Sequence, residues 1–185
     1  MISVDDQGPF PPCPAPFNIA THVLWENGAN DDKVAMAVIG ADGTSDWSYG
    51  DLRDAVLRTA AGLLNSGLNP GDRIILRLGN TPFFPVSFLA AIATGIIPVP
   101  IAAGLTDGEF AKLCDVIRPA AIVGKCDDKM LDPETLLHSK PLNAPVSGEP
   151  ERPAYIIFTS GTLGRAMGVV HAHRAIWARQ AMHNG

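Results

Sequence analysis

The stretch RIILRLGNTPFFPVSFLAAIATGIIPVPI, residues 73–101, decides the fold class. Arg73 to Leu78 is an apolar run that follows the turn Asn69-Pro70-Gly71-Asp72, so it reads as a strand. Thr81 with Pro82 at the next position reads as a helix start, where a missing N–H costs nothing. Pro85 still falls in that first turn, Phe84 to Thr94 continues the helix, and Gly95 closes it. Ile96 to Ile101 is a short strand, placed near a sheet edge because Pro98 and Pro100 cannot donate to a ladder. A strand, a helix and a returning strand make a parallel pair joined by a crossover.

The same alternation extends outward in both directions. Asn18 is suited to cap a short helix that ends before Gly28. Val34 to Ile39 and Asp46 to Tyr49 read as strands around the turn Ala41-Asp42-Gly43-Thr44. Ser48 and Asp51 resemble a capping pair for a helix carrying Leu52, Val56, Ala60, Leu63 and Leu64, with Gly67 as its stop. Thr106 and Glu109 form a capping box for a helix through Ile117, and Ala120 to Gly124 is a strand. The proline-rich residues 125–153 read as mostly loop with one helical turn. Tyr155 to Phe158 is a buried-type strand, Val169-Val170 another, and a helix spans about Arg174 to Met182. The expected class is α/β: a mostly parallel sheet with helices on both faces, over residues 17–185, preceded by an extended arm at residues 1–16.

Composition narrows the function. With 46% hydrophobic and 18% charged residues, the 185-residue chain is globular. A net charge of -5, with scattered Lys and Arg, gives no footprint for nucleic acid or for an anionic membrane. Cys13, Cys114 and Cys126 show neither disulfide nor zinc spacing and fit a reducing compartment. The first 16 residues lack the pattern of a signal peptide, and the apolar stretch 83–103 is broken by Pro and Gly. A cytoplasmic location is expected, with no membrane partner.

Chemistry concentrates in Thr159-Ser160-Gly161-Thr162-Leu163-Gly164-Arg165-Ala166-Met167-Gly168. Its glycines permit close backbone approach, and successive N–H groups in such a turn form a concavity for anions. The hydroxyls of Thr159, Ser160 and Thr162 add neutral donors, and Arg165 adds charge. The combination suits polyphosphate; an ordinary glycine-rich hairpin loop is the alternative. It is not a Walker A loop, which needs a Gly-Lys pair leading into a helix, and G-x-G-x-x-G does not occur.

These residues resemble the phosphate loop of adenylate-forming enzymes, which include acyl- and aryl-CoA synthetases and carry roughly T-S-G-T-T-G-x-P-K-G-V. The resemblance continues in Trp47-Ser48-Tyr49-Gly50-Asp51-Leu52, in Gly67-Leu68-Asn69-Pro70-Gly71-Asp72-Arg73-Ile74 and in Ala91 to Pro100. It implies part of the large N-terminal domain of such an enzyme. It also implies ATP, Mg2+ and coenzyme A as cofactors and a small carboxylic acid as substrate. The acid attacks the α-phosphate of Mg-ATP, and the coenzyme A thiol then attacks the acyl-adenylate. Thr159, Ser160, Gly161, Thr162 and Gly164 carry over as phosphate contacts, with Arg165 as a neighbouring charge.

Two loop positions depart from that pattern. Leu163 replaces a hydroxyl or small residue, and Met167 stands in the lysine position, where a thioether supplies neither charge nor ammonium donors. The family's later acidic motif, ribose-binding aspartate and C-terminal lysine have no counterpart before Gly185, so the C-terminal remainder is expected to be absent from this chain. Two functions stay open: an N-terminal portion of an ATP-dependent carboxylate–CoA ligase, inactive alone, or a short non-catalytic relative that binds or regulates. Self-association through exposed apolar surface is expected of such a portion.

Other constellations read as structural. His171 and His173 have no third metal ligand nearby in sequence and read as loop and helix-start polar residues. Ser160 with a histidine lacks the G-x-S-x-G of a hydrolase. Trp25, Trp47, Trp177, Phe83, Phe84 and Phe88 read as packing residues, and Asp31-Asp32 and Asp127-Asp128 as solvated loop charges.

Overall fold

A computed structural model describes residues 12–40, 43–124, 130–160 and 166–183. At its centre is a three-stranded parallel sheet of β3 (Arg73–Arg77), β4 (Ile97–Pro100) and β5 (Ala121–Gly124), in the order β4-β3-β5. Helix α3 (Phe83–Ala93) links β3 to β4, and α4 (Asp107–Ile117) links β4 to β5. Strand β3 is buried on both sides, as its continuous apolar run requires. Successive side chains alternate faces. Ile74 and Leu76 enter the main core with α2 (Tyr49–Asn65) and α3, whereas Ile75 and Val99 meet Ile117 of α4 on the other face. Helices therefore cover both faces of the parallel sheet.

The expected helix start at Thr81 is displaced. Helix α3 begins at Phe83 with Pro82 in the cap position and no side-chain cap. The Thr81 hydroxyl instead donates to the Leu78 carbonyl at 3.2 Å, holding the preceding turn. Pro98 and Pro100 explain the sheet's limit. The amides of Ile97 and Ile101 donate toward β3, to Asp72 and Leu76. The intervening residues Pro98 and Pro100 therefore turn their nitrogens outward, where no ladder bond can form. Strand β6 (Pro153–Ser160) packs beside β4 but pairs antiparallel with β7 (Ala166–Ala172) as a separate two-stranded sheet. A second antiparallel pair, β1 (Val34–Gly40) with β2 (Gly43–Ser48), lies before α2. Tyr49, expected in the returning strand, is the first residue of α2. The strand expected to be buried at Tyr155 to Phe158 is only half-buried.

Local chemistry sets the helix ends. Ser48 and Asp51 form a reciprocal capping box on α2, and Thr106 and Glu109 do the same on α4. Hydrogen bonds from the capping hydroxyl and amide hold the Asp51 and Glu109 carboxyls below the usual carboxylate range. Gly67, at φ 88°, takes the left-handed position just past the end of α2. Asn18 caps α1 (Ile19–Leu24) by accepting from Ala20. Its amide also donates to Ile92 at 3.1 Å and Val146 at 3.3 Å, tying α1 to the end of α3. The proline-rich segment contributes one short helix, α5 (Pro133–Leu137), which packs on α2. Helix α6 (Arg174–His183) follows β7. Among the described residues no helix is long and apolar enough to cross a membrane.

The α2–α5 contact depends on Gly62, where an added Cβ would lie 2.8 Å from the Leu136 carbonyl oxygen. Alanine improves helix propensity by up to about 1 kcal/mol, but overpacking against backbone costs about 1–3 kcal/mol. Gly62→Ala should therefore lower unfolding free energy by about 1 kcal/mol in urea titrations. Gly108→Ala, in the first turn of α4 with nothing within 4 Å of the new Cβ, should be neutral or stabilising. Equal effects at the two positions would contradict the packing described for α2 and α5.

Candidate functional site

The β6–β7 hairpin brings the two ends of the glycine- and hydroxyl-rich segment together. Its register pairs Ile157 with Val169, Phe158 with Gly168, Thr159 with Met167 and Ser160 with Ala166. Directly opposed residues of an antiparallel pair present their side chains on one face. Thr159 is exposed, and Met167 beside it is 64% exposed. The residue standing where the resemblance calls for lysine is thus at the hairpin tip, adjacent to the first hydroxyl. The connecting residues Gly161, Thr162, Leu163, Gly164 and Arg165 lie outside the described residues, as does the side chain of Ser160.

Gly168 has a packing reason rather than a conformational one, since it is not among the glycines with positive φ. A Cβ there would approach the Phe158 ring to 3.0 Å and the Ile156 methyl to 3.1 Å. The absent side chain lets both residues lie against the β7 backbone. Sequence reading treats this glycine only as backbone freedom for a ligand.

Below the tip, aromatic contacts fasten the hairpin to α3. Tyr155 and His171, a cross-strand pair, stack at 4.6 Å between centroids with planes 12° apart. Tyr155 also meets Phe88 at 5.5 Å, and Phe88 meets Phe84 at 6.1 Å. This bears out Phe84 and Phe88 as packing residues. Trp177 of α6 makes edge contacts with Phe17 at 5.9 Å and His22 at 5.8 Å, again as packing.

Of the loop and helix-start positions expected for the two histidines, His173 does precede α6, whereas His171 is a strand residue. His171 lies in β7, stacked as described, and His173 is buried at 2% exposure. The Nδ1 atom of His173 accepts from the Ile19 amide at 3.2 Å, and its own amide donates to Arg152 at 3.1 Å. Burial pushes its imidazole below the ordinary 6.5. Among the described residues no three His, Cys, Asp or Glu side chains gather to hold a metal ion. Asp31 is not purely solvated, because Arg53 pairs with it and donates to Leu24 and Ala29 as well. Asp127 and Asp128 lie outside the described residues.

A cleft of about 410 Å³ opens at the far end of β7, lined by Cys13, Val170, His171, Arg174 and Trp177 among others. Arg174 is occupied by Glu151 at 2.7 Å. Burial, and then Glu151, push the Cys13 thiol up, so it is no activated nucleophile.

Comparison with known proteins places the fold. Residues 25–184 match the family model described as "AMP-binding enzyme". The chain is 30% identical over 147 residues to enterobactin synthase component F of Escherichia coli, covering 74% of this chain and 11% of that protein. It is 32% identical over 183 residues to the 4-hydroxybenzoate--CoA/benzoate--CoA ligase of Rhodopseudomonas palustris, covering 85% of this chain and 34% of the ligase. The crystal structure of ATP-bound MatB from Rhodopseudomonas palustris superposes with a TM-score of 0.76 at 20% identity, covering 88% of this chain and 36% of that one. The chain thus spans about a tenth to a third of the curated relatives named here. A parallel sheet clad by helices on both faces, followed by an antiparallel hairpin, is the fold shared with about a third of the MatB structure, and the chain belongs to the AMP-binding, adenylate-forming enzyme family.

Proposed function

We propose that residues 17–185 form the N-terminal α/β portion of an ATP-dependent carboxylate–CoA ligase, with the β6–β7 hairpin as its phosphate cradle. The observation that carries this reading is the hairpin itself. It sets Thr159 at the tip and leaves only residues 161–165 to connect the strands, in a chain of the AMP-binding family. In the proposed reaction a carboxylate oxygen attacks the α-phosphorus of ATP, the bond to the bridging oxygen breaks, and pyrophosphate leaves. The coenzyme A thiol then attacks the acyl carbon, losing its proton, and AMP leaves. Thr159, Ser160, Gly161, Thr162, Gly164 and Arg165 would hold the β- and γ-phosphates, contributing position and donors to the departing pyrophosphate. Mg2+ would arrive on the triphosphate, since among the described residues no three potential ligands gather. The relatives include a synthase component as well as a CoA ligase, so coenzyme A as the acceptor is part of the proposal.

Met167 favours a second reading, in which the chain keeps the fold but binds without catalysing. A methionine at the tip offers no charge to a pyrophosphate. ATP–pyrophosphate exchange by the full-length protein, over a panel of acids that includes benzoate and 4-hydroxybenzoate, separates the two. Exchange dependent on one acid supports the ligase, and no exchange with any acid supports the binder.

Position 167 can be tested directly. Met167→Lys should tighten ATP binding by about threefold to tenfold, the worth of one charge-assisted hydrogen bond at an exposed site. Val170→Lys adds the same charge on the opposite face of β7 and should change affinity far less. Calorimetric titration of both variants reads the difference, and equal affinities would contradict a phosphate site beside residue 167.

A further inference from the structure

The β6–β7 hairpin carries the proposed phosphate site, yet among the described residues no ladder bond joins it to the central parallel sheet. Something else must fix its position. Side-chain packing of Ile156, Phe158 and Tyr155 against the body is one part of the answer. Among the described residues a buried polar link runs through His173, immediately after β7. His173 Nδ1 accepts from Ile19, and the neighbouring Asn18 donates to Ile92 at the end of α3 and to Val146. Phe17 donates to Gly148, and the amides of His173 and Arg174 donate to Arg152 and Pro150 in the turn before β6. These bonds join both ends of the hairpin to α1 and through it to the crossover helix.

We propose that His173 is a positioning residue: its neutral imidazole, as acceptor of the Ile19 amide, holds the base of the β6–β7 hairpin against α1 and so fixes where the hairpin tip meets nucleotide. The last clause rests on the phosphate-binding reading; the latch itself does not. An Nδ1 that accepts an N–H carries no proton, so the ring is the Nε2–H tautomer. Protonation turns Nδ1 into a donor facing another donor, which breaks the link.

The sign of the pH dependence follows. Burial holds the folded imidazole below 6.5, so the unfolded or unlatched chain takes up the proton first. Stabilisation by the latch is complete above the ordinary value and is lost as pH falls toward the lowered one. The ionisable groups on the hairpin and the adjoining segments include His171, Tyr155, Glu149, Glu151, Arg152, Arg174, Cys13, His22 and Glu26. Arg152 pairs with Glu149 and Arg174 with Glu151, while His22 lies within 3.4 Å of Glu26. Burial alone accounts for the lowered imidazole.

The test compares the protein with His173→Asn, His173→Ala and His171→Ala. Asparagine places a non-titrating acceptor oxygen close to where Nδ1 stands. The first readout is the amide spectrum of Gly168 to Ala172 without nucleotide, between about pH 7.5 and 5.5, taken in the His171→Ala background so that no imidazole lies within the segment. Those amides should shift on acidification of that background and when His173→Ala is added to it, and should stay in place at both pH values when His173→Asn is added instead. The second readout is Mg-ATP affinity. It should fall about fivefold in His173→Ala, be restored in His173→Asn, and lose its acid limb there. His171→Ala, which removes only the stack, serves as the control for general loosening and should retain the acid limb. Unmoved Gly168 to Ala172 amides in His173→Ala, or a proton found on Nδ1 by imidazole nitrogen shifts near pH 7.5, would overturn the latch. Moved amides with no ATP binding by any form would leave the latch standing and remove the phosphate reading instead.

Discussion

Strand β3 is the element that the rest of the structure requires. Ile74, Ile75 and Leu76 are fully buried, each contributing about 2 kcal/mol relative to exposure. Burial on both faces removes water from the backbone, so its N–H and C=O groups must pair with strands on either side. Strands β4 and β5 satisfy that demand in parallel register. Parallel pairing in turn forces crossovers, which become α3 and α4, and the crossovers must cover opposite faces because Ile74 and Ile75 point oppositely.

Where β3's demands end, the hairpin begins. Pro98 and Pro100 leave the outer side of β4 without donors, so the sheet does not continue through backbone bonds into β6. The hairpin is instead held by side chains: Ile156 and Phe158 against the smaller core, Tyr155 against Phe88, and the buried acceptor of His173. The proposed phosphate loop on such a mount would be set by a few contacts that a single substitution can alter. Its apolar β7, with Val169 and Val170 exposed on both faces, is surface of the kind that self-association would cover.

How much of this is legible in the sequence depends on the range of the interaction. The capping boxes Ser48–Asp51 and Thr106–Glu109 involve partners three residues apart, and both are readable and present. The β3–α3–β4 unit is equally local, and so is the edge position implied by its prolines. Thr81 is misassigned because a hydroxyl before proline can bond backward as well as cap. The His173–Ile19 bond joins residues 154 positions apart, and no pattern along the chain marks it. The Gly168–Phe158 contact is hidden for a related reason, since a glycine needed for packing looks the same as one needed for a turn. For the proposed site residues, glycines and hydroxyls suggest an anion loop or an ordinary hairpin alike, and the resemblance decides between them, because anion binding by a loop depends on backbone directions that composition does not record.

The central claim is that the tip of the β6–β7 hairpin receives a nucleotide's phosphates. Amide chemical shifts followed during a Mg-ATP titration test it most directly. Saturable shifts are expected to concentrate at Thr159 to Gly168 and on Phe158, the strand partner of Gly168. Saturable binding that leaves those amides unmoved, and perturbs instead the cleft around Cys13 and Trp177, would contradict it.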